Sequence, residues 1–286
     1  MNDKPETRTF FAIIGKPVKH ARSPLLQNTA LRAVGLAAEY IAVEVEPEHL
    51  ERDVRTLVED GCAGFNITIP HKQTIIPLLS TIDNEAKHIG AVNTVVIRNG
   101  SLHGYNTDVH GFRASLAPHK DRLRGANALL LGAGGAARTA TYSLVHDFKP
   151  ERITIAARTR EQAQRLADSF SQENTISVCS FNEAELAKTV GQATLVVNAT
   201  PVGMHPHTNA SPLPASAPFH RGQIVFDLIY TPLQTTLLKH AASSGATTVN
   251  GLEMLLQQGA RAFELFTGKQ MPVDVVREAV VKSLQK

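Results

Sequence analysis

The chain has 286 residues, of which 43% are hydrophobic and 19% are charged, and its formal net charge is +3. A chain of this length exceeds the size at which one hydrophobic core grows efficiently, so two domains are expected. The composition excludes the disordered and fibrous classes of protein. Because the lysines and arginines are scattered rather than gathered into a stripe with aromatic residues, no nucleic-acid partner is expected.

Cysteine usage and the first residues of the sequence exclude further classes. Cys62 and Cys179 are too few for a disulfide framework, which agrees with a reducing cytoplasm. The stretch "MNDKPETRTFFAIIG" has the pattern of neither a signal peptide nor a membrane-spanning helix, so we expect a cytoplasmic protein with no membrane partner. The "HPH" triplet at 205–207 has no third ligand in register, and no metal site is expected.

Short apolar runs alternate with helical patterns along the first part of the chain. Strands are predicted at "TFFAIIG", "EYIAVEVE", "GFNITIP" and "VNTVVI", and helices at "PLLQNTALRAVG" and "PEHLERDVRTLVEDG". Gly61 is expected just after the second helix, and Asn99-Gly100 predicts a β-hairpin. A helix from Val109 and the charged "KDRLRG" stretch behind it predict a connector between domains.

The second part of the chain repeats the alternation of strand and helix. Strands at "NALLLG", "RITIAAR", "ISVCS", "TLVVNAT" and "IVFDLIY" predict a five-stranded, doubly wound sheet. Two amphipathic helices follow Gly251, in "LEMLLQQGARAFELF" and "VDVVREAVVKSLQ", and are expected to pack back on the first domain. The predicted fold class is α/β, with two domains and returning C-terminal helices.

A glycine-rich turn in "LLLGAGGAARTA", residues 129–140, predicts a dinucleotide site. Gly132, Gly134 and Ala137 match the pattern G-x-G-x-x-G/A between a strand and a helix. The first glycine allows a tight turn, the second lets the backbone approach a pyrophosphate, and the small third residue lets the helix pack on the sheet. The alternative is a glycine-rich turn without a ligand.

The end of the next strand, "AARTR", favours NADP over NAD. NAD sites commonly carry an acidic residue there, which would repel the extra phosphate of NADP. Arg158 can pair with that phosphate and stack on the adenine, Thr159 can donate from its hydroxyl, and Arg160 adds a second charge. The alternative is that these arginines belong to a solvated turn.

A hydride-transfer enzyme also needs a group that moves a proton, and the first part of the chain offers two candidates. "NITIPHK" ends a strand with Lys72, and "GYNTD" ends the hairpin with Asp108. A lysine beside a carboxylate in a cleft can relay a proton to or from an alcohol oxygen. The alternatives are a solvated lysine and an aspartate that caps the following helix.

Eight blocks of sequence resemble, in order, the signature blocks of the shikimate dehydrogenase family. They span about residues 10 to 270 and read "HARSP", "NITIPHK", "GAVNTV", "GYNTDVHG", "LLLGAGGAAR", "NATPVGM", "DLIYTPLQTTLL" and "GLEMLLQQGARAFELFTG". The resemblance implies reversible reduction of 3-dehydroshikimate to shikimate with NADPH, in aromatic amino-acid biosynthesis. It implies a substrate-binding and catalytic domain at 1–108, a Rossmann-like NADP-binding domain at 109–250, and C-terminal helices at 251–286 on the first domain, with the active site between the lobes.

The resemblance also implies roles for individual residues. Lys72 and Asp108 are the implied catalytic pair. The implied substrate contacts are Ser23, Asn66, Thr68, Asn93, Tyr230 and Gln258. The implied cofactor contacts are Gly132, Ala133, Gly134, Gly135, Ala136, Arg158, Thr159, Arg160, Thr200, Leu228 and Gly251. Without the resemblance, Asn66 and Asn93 could equally serve turns or sheet ends, and Tyr230 and Gln258 could serve packing and a helix surface.

The sequence departs from the family pattern at three positions. Ala21 stands where the family has the first serine of an S-x-S-P block that holds the substrate carboxylate. Arg22 and Tyr230 are possible replacements for the missing hydroxyl, although Arg22 is a variable and outward position in that pattern. Ala157 replaces an asparagine before the NADP-binding arginine, so dual use of NAD remains open. Phe266 stands where tryptophan is common, an apolar exchange.

The missing hydroxyl leaves several functions open. The chain can be a shikimate dehydrogenase of reduced affinity, a dehydrogenase of quinate or another ring acid, or an engineered variant. Outside the enzymes, it can be a cofactor-sensing protein that has lost turnover. The protein is expected to act on a small-molecule substrate and to be a monomer or a homodimer.

Overall fold

The computed structural model describes residues 9–19, 21–170 and 176–285. These residues form two compact units. One unit consists of the described residues up to His110 together with those from Leu256 onward, and the other runs from Gly111 to Leu255. The chain passes from one unit to the other twice, each time inside a helix.

The first unit contains a six-stranded mixed sheet. Its strands are β1 (Phe10–Gly15), β2 (Glu39–Glu44), β3 (Cys62–Ile67), β4 (Thr81–Ile82), β5 (Thr94–Arg98) and β6 (Ser101–Tyr105). The order across the sheet is β2-β1-β3-β5-β6-β4. Strand β1 pairs in parallel with β2 and β3, whereas β5 is antiparallel to β3 and β6. One face is buried by apolar side chains such as Ile14, Phe65 and Val95.

The predicted hairpin and the predicted helix end are confirmed. Asn99 and Gly100 connect β5 to β6 with φ angles of 51° and 75°. Positive φ at both central residues is the geometry that matches the twist of paired strands. Gly61 follows the second helix with φ of 83°, a conformation that a side chain would strain.

The end of one strand and the presence of another differ from the prediction in this unit. The strand expected over "GFNITIP" ends at Ile67, before Pro70, which has no backbone N–H to donate. The two-residue strand Thr81–Ile82, which pairs with β6, was not predicted because two residues are too short to show an alternating pattern.

The second unit contains a six-stranded, fully parallel sheet. Its strands are β7 (Asn127–Leu131), β8 (Arg152–Ala156), β9 (Ile176–Cys179), β10 (Leu195–Asn198), β11 (Ile224–Asp227) and β12 (Thr247–Val249). Their order is β12-β11-β10-β7-β8-β9, with every pair parallel. Apolar clusters cover both faces, as a parallel sheet requires. The prediction of five strands was wrong, since the short, partly exposed "TTV" segment forms a sixth.

Eleven α-helices are present among the described residues. They are α1 (Ser23–Ala33), α2 (Leu50–Glu59), α3 (Asn84–Ile89), α4 (Asp108–Leu116), α5 (Lys120–Leu123), α6 (Gly135–Ser143), α7 (Arg160–Asp168), α8 (Glu183–Gln192), α9 (Thr236–Ser243), α10 (Leu252–Thr267) and α11 (Val273–Leu284). None of them combines the length and the apolar character needed to cross a membrane. The two changes of unit fall within α4 and α10.

The C-terminal helices belong to the first unit, as predicted. Gln27 of α1 donates from Nε2 to the carbonyl of Gly259 in α10 at 3.0 Å. A Cβ atom at Gly259 would lie 2.8 Å from Leu26 Cδ2, so a larger residue there would require the Leu26 side chain to move. Helix α11 packs against α1 from the same unit.

Candidate active site

Lys72 and Asp108, which are 36 positions apart in the sequence, form an ion pair in the first unit. Lys72 Nζ lies 2.5 Å from Asp108 Oδ2, and the two side chains are only 17% and 9% exposed. A mostly buried ammonium beside a carboxylate is a group that can hold and move a proton. The alternative of a solvated lysine is therefore excluded.

The turn that carries Lys72 is fixed on both sides by hydrogen bonds. The Lys72 carbonyl accepts from the Val92 N–H at 2.7 Å. The neighbouring His71 is fully buried, and its Nε2 lies 2.8 Å from the Val45 carbonyl, to which it donates. These bonds hold the lysine backbone against two neighbouring segments of the sheet.

Asp108 does not cap the helix that it begins. The amide oxygen of Asn106 accepts the hydrogen bond from Val109 N–H at 3.3 Å, and Asn106 Nδ2 donates to the Ala91 carbonyl at 2.9 Å. Because Asn106 fills the capping role at the start of α4, the Asp108 carboxylate faces Lys72. The capping interpretation of Asp108 is thus wrong.

Asn66, at the end of β3, is held by three protein groups. Its Nδ2 donates to the Asn93 carbonyl at 3.2 Å and to Thr94 Oγ1 at 2.9 Å, and its Oδ1 accepts from Tyr40 Oη at 2.7 Å. Burial raises the pKa of Tyr40 well above its usual value, so its hydroxyl stays protonated and donates. An amide oxygen accepts two hydrogen bonds, so one acceptor position of Asn66 remains for a ligand.

Asn93 is also part of a buried network. Its Nδ2 donates to Thr107 Oγ1 at 3.0 Å, and its Oδ1 accepts from the Thr107 N–H at 2.7 Å and from Thr94 Oγ1 at 3.0 Å. One N–H of the Asn93 amide is left for a ligand. Both asparagine side chains therefore form hydrogen bonds at the end of the sheet, and each keeps one unused hydrogen-bonding position.

The network includes residues that the sequence analysis missed. Tyr40, Thr94 and Thr107 are buried and orient the two asparagines. Thr94 and Thr107 lie inside "GAVNTV" and "GYNTDVHG", so their position next to site residues was the signal for them. No signal in the sequence pointed to Tyr40, because tyrosines are common in strands and its partner Asn66 is distant in sequence.

Hydroxyl groups of Ser23 and Thr68 have no hydrogen-bond partner among the described residues, and both side chains are half-buried. Thr68 follows β3 and lies against Gly15, where a Cβ atom would be 2.3 Å from Thr68 Cγ2. Ser23 begins α1, and Gln258 lies on α10. Of the six candidate substrate contacts, five lie in the first unit and only Tyr230 lies in the second.

Arg22 does not point outward as the sequence analysis expected. The residue is half-buried, and its Nε is shielded from solvent with no hydrogen-bond partner among the described residues. Arg22 lies directly before α1, at the N-cap position of that helix. The neighbouring Ala21 is also half-buried.

The glycine-rich turn of the second unit has the form that a dinucleotide site needs. Gly132 has φ of 111°, and a Cβ atom there would lie 3.1 Å from the Ala199 carbonyl and from Thr200 Cγ2. Gly134 is exposed with nothing within 4 Å of a Cβ position, and Ala137 is fully buried against the sheet. No acidic residue lies in the first turn of α6, whose N–H groups therefore favour an anion.

The other cofactor candidates lie at the carboxyl ends of neighbouring strands. A Cβ atom at Gly251 would lie 2.1 Å from the Leu228 carbonyl, and the Gly251 N–H donates to the Ile229 carbonyl at 2.9 Å. Arg158, Thr159 and Arg160 are exposed after β8, and neither arginine forms an ion pair with a described residue. Ala133, Gly135 and Ala136 continue the turn into α6. The carboxyl ends of the parallel strands thus place the glycine turn, Thr200, Leu228 and Gly251 at one end of the second unit.

A buried aspartate lies behind two of these loops. Asp227, the last residue of β11, accepts from Asn198 Nδ2 at 3.0 Å, from Ile229 N–H at 3.2 Å and from Thr235 Oγ1 at 2.6 Å. Burial raises its pKa to about 6, against the lowering effect of these hydrogen bonds. Asp227 was not among the residues predicted from the sequence.

Models of protein families match most of the chain. The model described as "Shikimate dehydrogenase substrate binding domain" matches residues 13–95, and "Shikimate / quinate 5-dehydrogenase" matches 115–228. The model "Shikimate 5'-dehydrogenase C-terminal domain" matches residues 251–281.

Curated relatives match along nearly the whole chain. A shikimate dehydrogenase (NADP(+)) from Methanopyrus kandleri is 42% identical over 276 residues, covering 96% of this chain and 95% of its own. A protein of the same name from Salinibacter ruber is 42% identical over 279 residues, with coverages of 96% and 97%.

Solved structures agree with the fold of both units. A shikimate dehydrogenase in complex with NADP+ has a TM-score of 0.87, 36% identity, and coverages of 97% and 96%. The Thermus thermophilus enzyme, solved with NADP(H) and shikimate, has a TM-score of 0.84 and 35% identity, with coverages of 96% and 99%. A quinate dehydrogenase from Corynebacterium glutamicum, in complex with NAD, has a TM-score of 0.85 and 30% identity, with coverages of 96% and 99%.

Proposed function

Because the chain belongs to the shikimate dehydrogenase family, we propose that it catalyses the reversible reduction of 3-dehydroshikimate to shikimate with NADPH, in aromatic amino-acid biosynthesis. The observation that carries the proposal is the shielded ion pair of Lys72 and Asp108, with Nζ and Oδ2 2.5 Å apart. Its reaction is an oxidation or reduction at a CH–OH group. The cofactor, when bound, supplies or accepts the hydride.

Lys72 and Asp108 perform the proton transfer. In the direction of reduction, the Lys72 ammonium donates a proton to the oxygen that becomes the alcohol, and in oxidation the neutral amine accepts it. Asp108 orients Lys72 through their hydrogen bond and accepts a hydrogen bond from a substrate hydroxyl. The fixed turn around Lys72 limits the positions that the amine can take.

Neutral polar groups bind the ring hydroxyls and the carboxylate of the substrate. Asn66 and Asn93 offer one acceptor and one donor in fixed directions, and Thr68 and Ser23 offer unpaired hydroxyls. Gln258 and Tyr230 complete the set of contacts. Amides and hydroxyls suit a polyhydroxylated ring acid, because they provide many hydrogen bonds without adding charge to the site.

We assign NADP binding to the second unit, Gly111–Leu255, which corresponds to the domain predicted at 109–250. We assign substrate binding to the first unit, which corresponds to the predicted 1–108 and 251–286. The turn from Gly132 to Ala136 holds the pyrophosphate on N–H groups at the start of α6, where Gly134 leaves room for it. Arg158, Thr159 and Arg160 bind the phosphate of the adenosine half. Thr200, Leu228 and Gly251 border the nicotinamide half.

Quinate or another ring acid is the alternative substrate, since Ala21 departs from the serine that the family pattern places there. A hydrogen bond to a charged group contributes about 1.5 to 3 kcal/mol, so a missing hydroxyl weakens binding of the shikimate carboxylate by about one to two powers of ten. A relative with this fold carries the name quinate dehydrogenase.

The cellular setting follows from the biosynthetic role. We place the protein in the cytoplasm, where it works as a monomer or homodimer on a small-molecule substrate, with neither a nucleic-acid nor a membrane partner. Size-exclusion chromatography with light scattering distinguishes the two oligomeric states.

Steady-state kinetics with four pairs of substrate and cofactor tests the function. Oxidation of shikimate and of quinate is measured with NADP+ and with NAD+, and we expect the highest kcat/KM for shikimate with NADP+. A higher value for quinate would select the alternative substrate. Binding of NADPH without turnover of either acid would instead identify a cofactor-sensing protein.

A further inference from the structure

The buried carboxylate of Asp227 connects three segments at the carboxyl end of the parallel sheet. Asn198 ends β10, Ile229 lies in the loop after β11, and Thr235 precedes α9. Each of them donates a hydrogen bond to Asp227, at distances of 3.0, 3.2 and 2.6 Å. Asp227 is fully buried, so solvent provides none of these interactions.

Each donor continues the network toward a different part of the unit. Asn198 Oδ1 accepts from the Thr200 N–H at 3.0 Å and from Thr200 Oγ1 at 2.7 Å, so Asn198 determines the position of Thr200. Thr235 Oγ1 accepts from Leu238 N–H at 3.3 Å and thereby caps α9. The loop that contains Ile229 also contains Leu228 and Tyr230.

A carboxylate satisfies all three donors at once. Asn198 Nδ2 and Ile229 N–H both use Oδ1, and the Thr235 hydroxyl uses Oδ2. An amide at this position has one oxygen, so it can accept at one side only. Burying a carboxylate without a cationic partner lowers stability, and none of the described ion pairs involves Asp227. A neutral residue would therefore be the more stable choice if the group served the fold alone.

We infer that Asp227 is a positioning residue that holds the loop with Thr200 and the loop with Leu228 and Tyr230 in the arrangement that binds NADPH. The inference rests on the proposed function, because it assigns these two loops to the cofactor and substrate. Asp227 acts through Asn198 and the loop backbone and touches neither ligand itself.

The variant Asp227→Asn tests this role, with NADPH binding and thermal stability as the two measurements. NADPH binding is followed by fluorescence titration of the full chain, so the measurement does not depend on turnover. We expect the Kd for NADPH to rise about tenfold, because one of the loops that bind NADPH is then no longer held in place. We expect the Tm at pH 8 to stay equal to that of the wild type or to rise.

Gln223, directly before β11 at the opposite end of the same strand, provides the matched control. It is fully buried, and it donates from Nε2 to the Val190 and Ala193 carbonyls at 2.6 and 2.8 Å while accepting from His220 N–H at 2.8 Å. Gln223→Met should lower the Tm and leave the Kd for NADPH unchanged. This opposite pattern separates positioning from folding.

A second pair of variants covers the case in which Asp227→Asn does not fold. Thr235→Val removes the hydroxyl that Asp227 accepts from, whereas Thr235→Ser keeps it. We expect Thr235→Val to raise the Kd for NADPH and Thr235→Ser to restore it. Wild-type NADPH affinity in both Asp227→Asn and Thr235→Val, or equal weakening of NADPH binding in Gln223→Met, would overturn the inference. A wild-type chain that fails to bind NADPH would instead overturn the proposed function.

Discussion

Asn106 caps helix α4 by accepting from Val109 N–H, and Asp108, two residues later, is thereby left to pair with Lys72. One short segment thus contains both a structural polar group and a reactive one. Because the cap is provided elsewhere, the carboxylate of Asp108 can be changed without removing the hydrogen bond that begins the helix.

Replacing Lys72 should separate activity from stability. Lys72→Met removes the amine that accepts the proton in oxidation, and we expect kcat for shikimate oxidation to fall by a factor of about 10² to 10⁴. It also leaves the shielded Asp108 carboxylate unpaired, which should lower the free energy of unfolding by up to about 3 kcal/mol. The double variant Lys72→Met with Asp108→Asn should recover most of the stability and none of the activity.

Lys16 is the control for this substitution. Its ammonium pairs with Glu44 at 2.7 Å and with Glu46 at 2.5 Å, but its side chain is 39% exposed. Lys16→Met should change kcat little, because Lys16 pairs with Glu44 and Glu46 and not with the candidate catalytic carboxylate. Equal losses of kcat in the Lys16 and Lys72 variants would contradict the role of Lys72.

Asn106→Ala tests the division of roles at the start of α4. Loss of a helix cap costs about 0.5 to 2 kcal/mol, and urea denaturation should show a decrease in unfolding free energy of that size. Asp108→Asn should preserve the cap and instead lower kcat. A decrease in stability with Asp108→Asn as large as with Asn106→Ala would show that Asp108 shares the cap.

Arg158 should determine the preference for NADP. Arg158→Ala removes a charged hydrogen-bond donor for the extra phosphate, so we expect the KM for NADP+ to rise about 10- to 100-fold and the KM for NAD+ to change little. Arg152 begins the same strand at its other end and is exposed, so Arg152→Ala is the control. A parallel rise of both KM values in Arg158→Ala would indicate a general effect on the adenosine half.

Local patterns sufficed for most of the fold, and they failed where a contact is distant or an element is short. They also singled out Lys72 and Asp108, which the structure brings together as an ion pair. The dipeptide Asn99-Gly100 is enough to predict the turn of the hairpin. The pattern G-x-G-x-x-A predicts the strand, turn and helix around Gly132. Tyr40 shows no such pattern, because its partner Asn66 is brought to it by folding. Asp227 begins the block "DLIYTPLQTTLL", but nothing in that block indicates that its carboxylate is buried or that Asn198 donates to it. The strand Thr247–Val249 was missed because three residues of mixed polarity lack a recognisable period.

Ala21→Ser tests the consequence of the missing hydroxyl. Ala21 lies just before the start of α1, two residues from Ser23, and is half-buried. If the carboxylate of the substrate binds there, a second hydroxyl should lower the KM for shikimate about 10-fold or more and leave the KM for NADP+ unchanged. Ser23→Ala should raise the KM for shikimate, which provides the opposite control. An unchanged KM in Ala21→Ser would show that another group has replaced the hydroxyl.

The buried carboxylate of Asp227 should make stability depend on pH in a defined window. Burial raises its pKa to about 6 from an ordinary value of 3.8, so between these values the folded chain holds a proton that the unfolded chain has lost. The favourable contribution of the protonated group is therefore fully present below about pH 3.8 and is lost as the pH rises through about 6. Beside it, β10 and β12 contain no ionisable side chain that would offset the change.

Comparison of Asp227→Asn with the wild type isolates this contribution. A shift of this size corresponds to about 3 kcal/mol, so the unfolding free energy of the variant, relative to the wild type, should increase by about 2 to 3 kcal/mol between pH 4 and pH 7. Urea denaturation across that range measures the difference. For Gln223→Met, which changes no ionisable group, the difference from the wild type should be independent of pH. A constant difference for Asp227→Asn would mean that Asp227 ionises in the folded chain as readily as in the unfolded one, because its three donors then offset its burial in full.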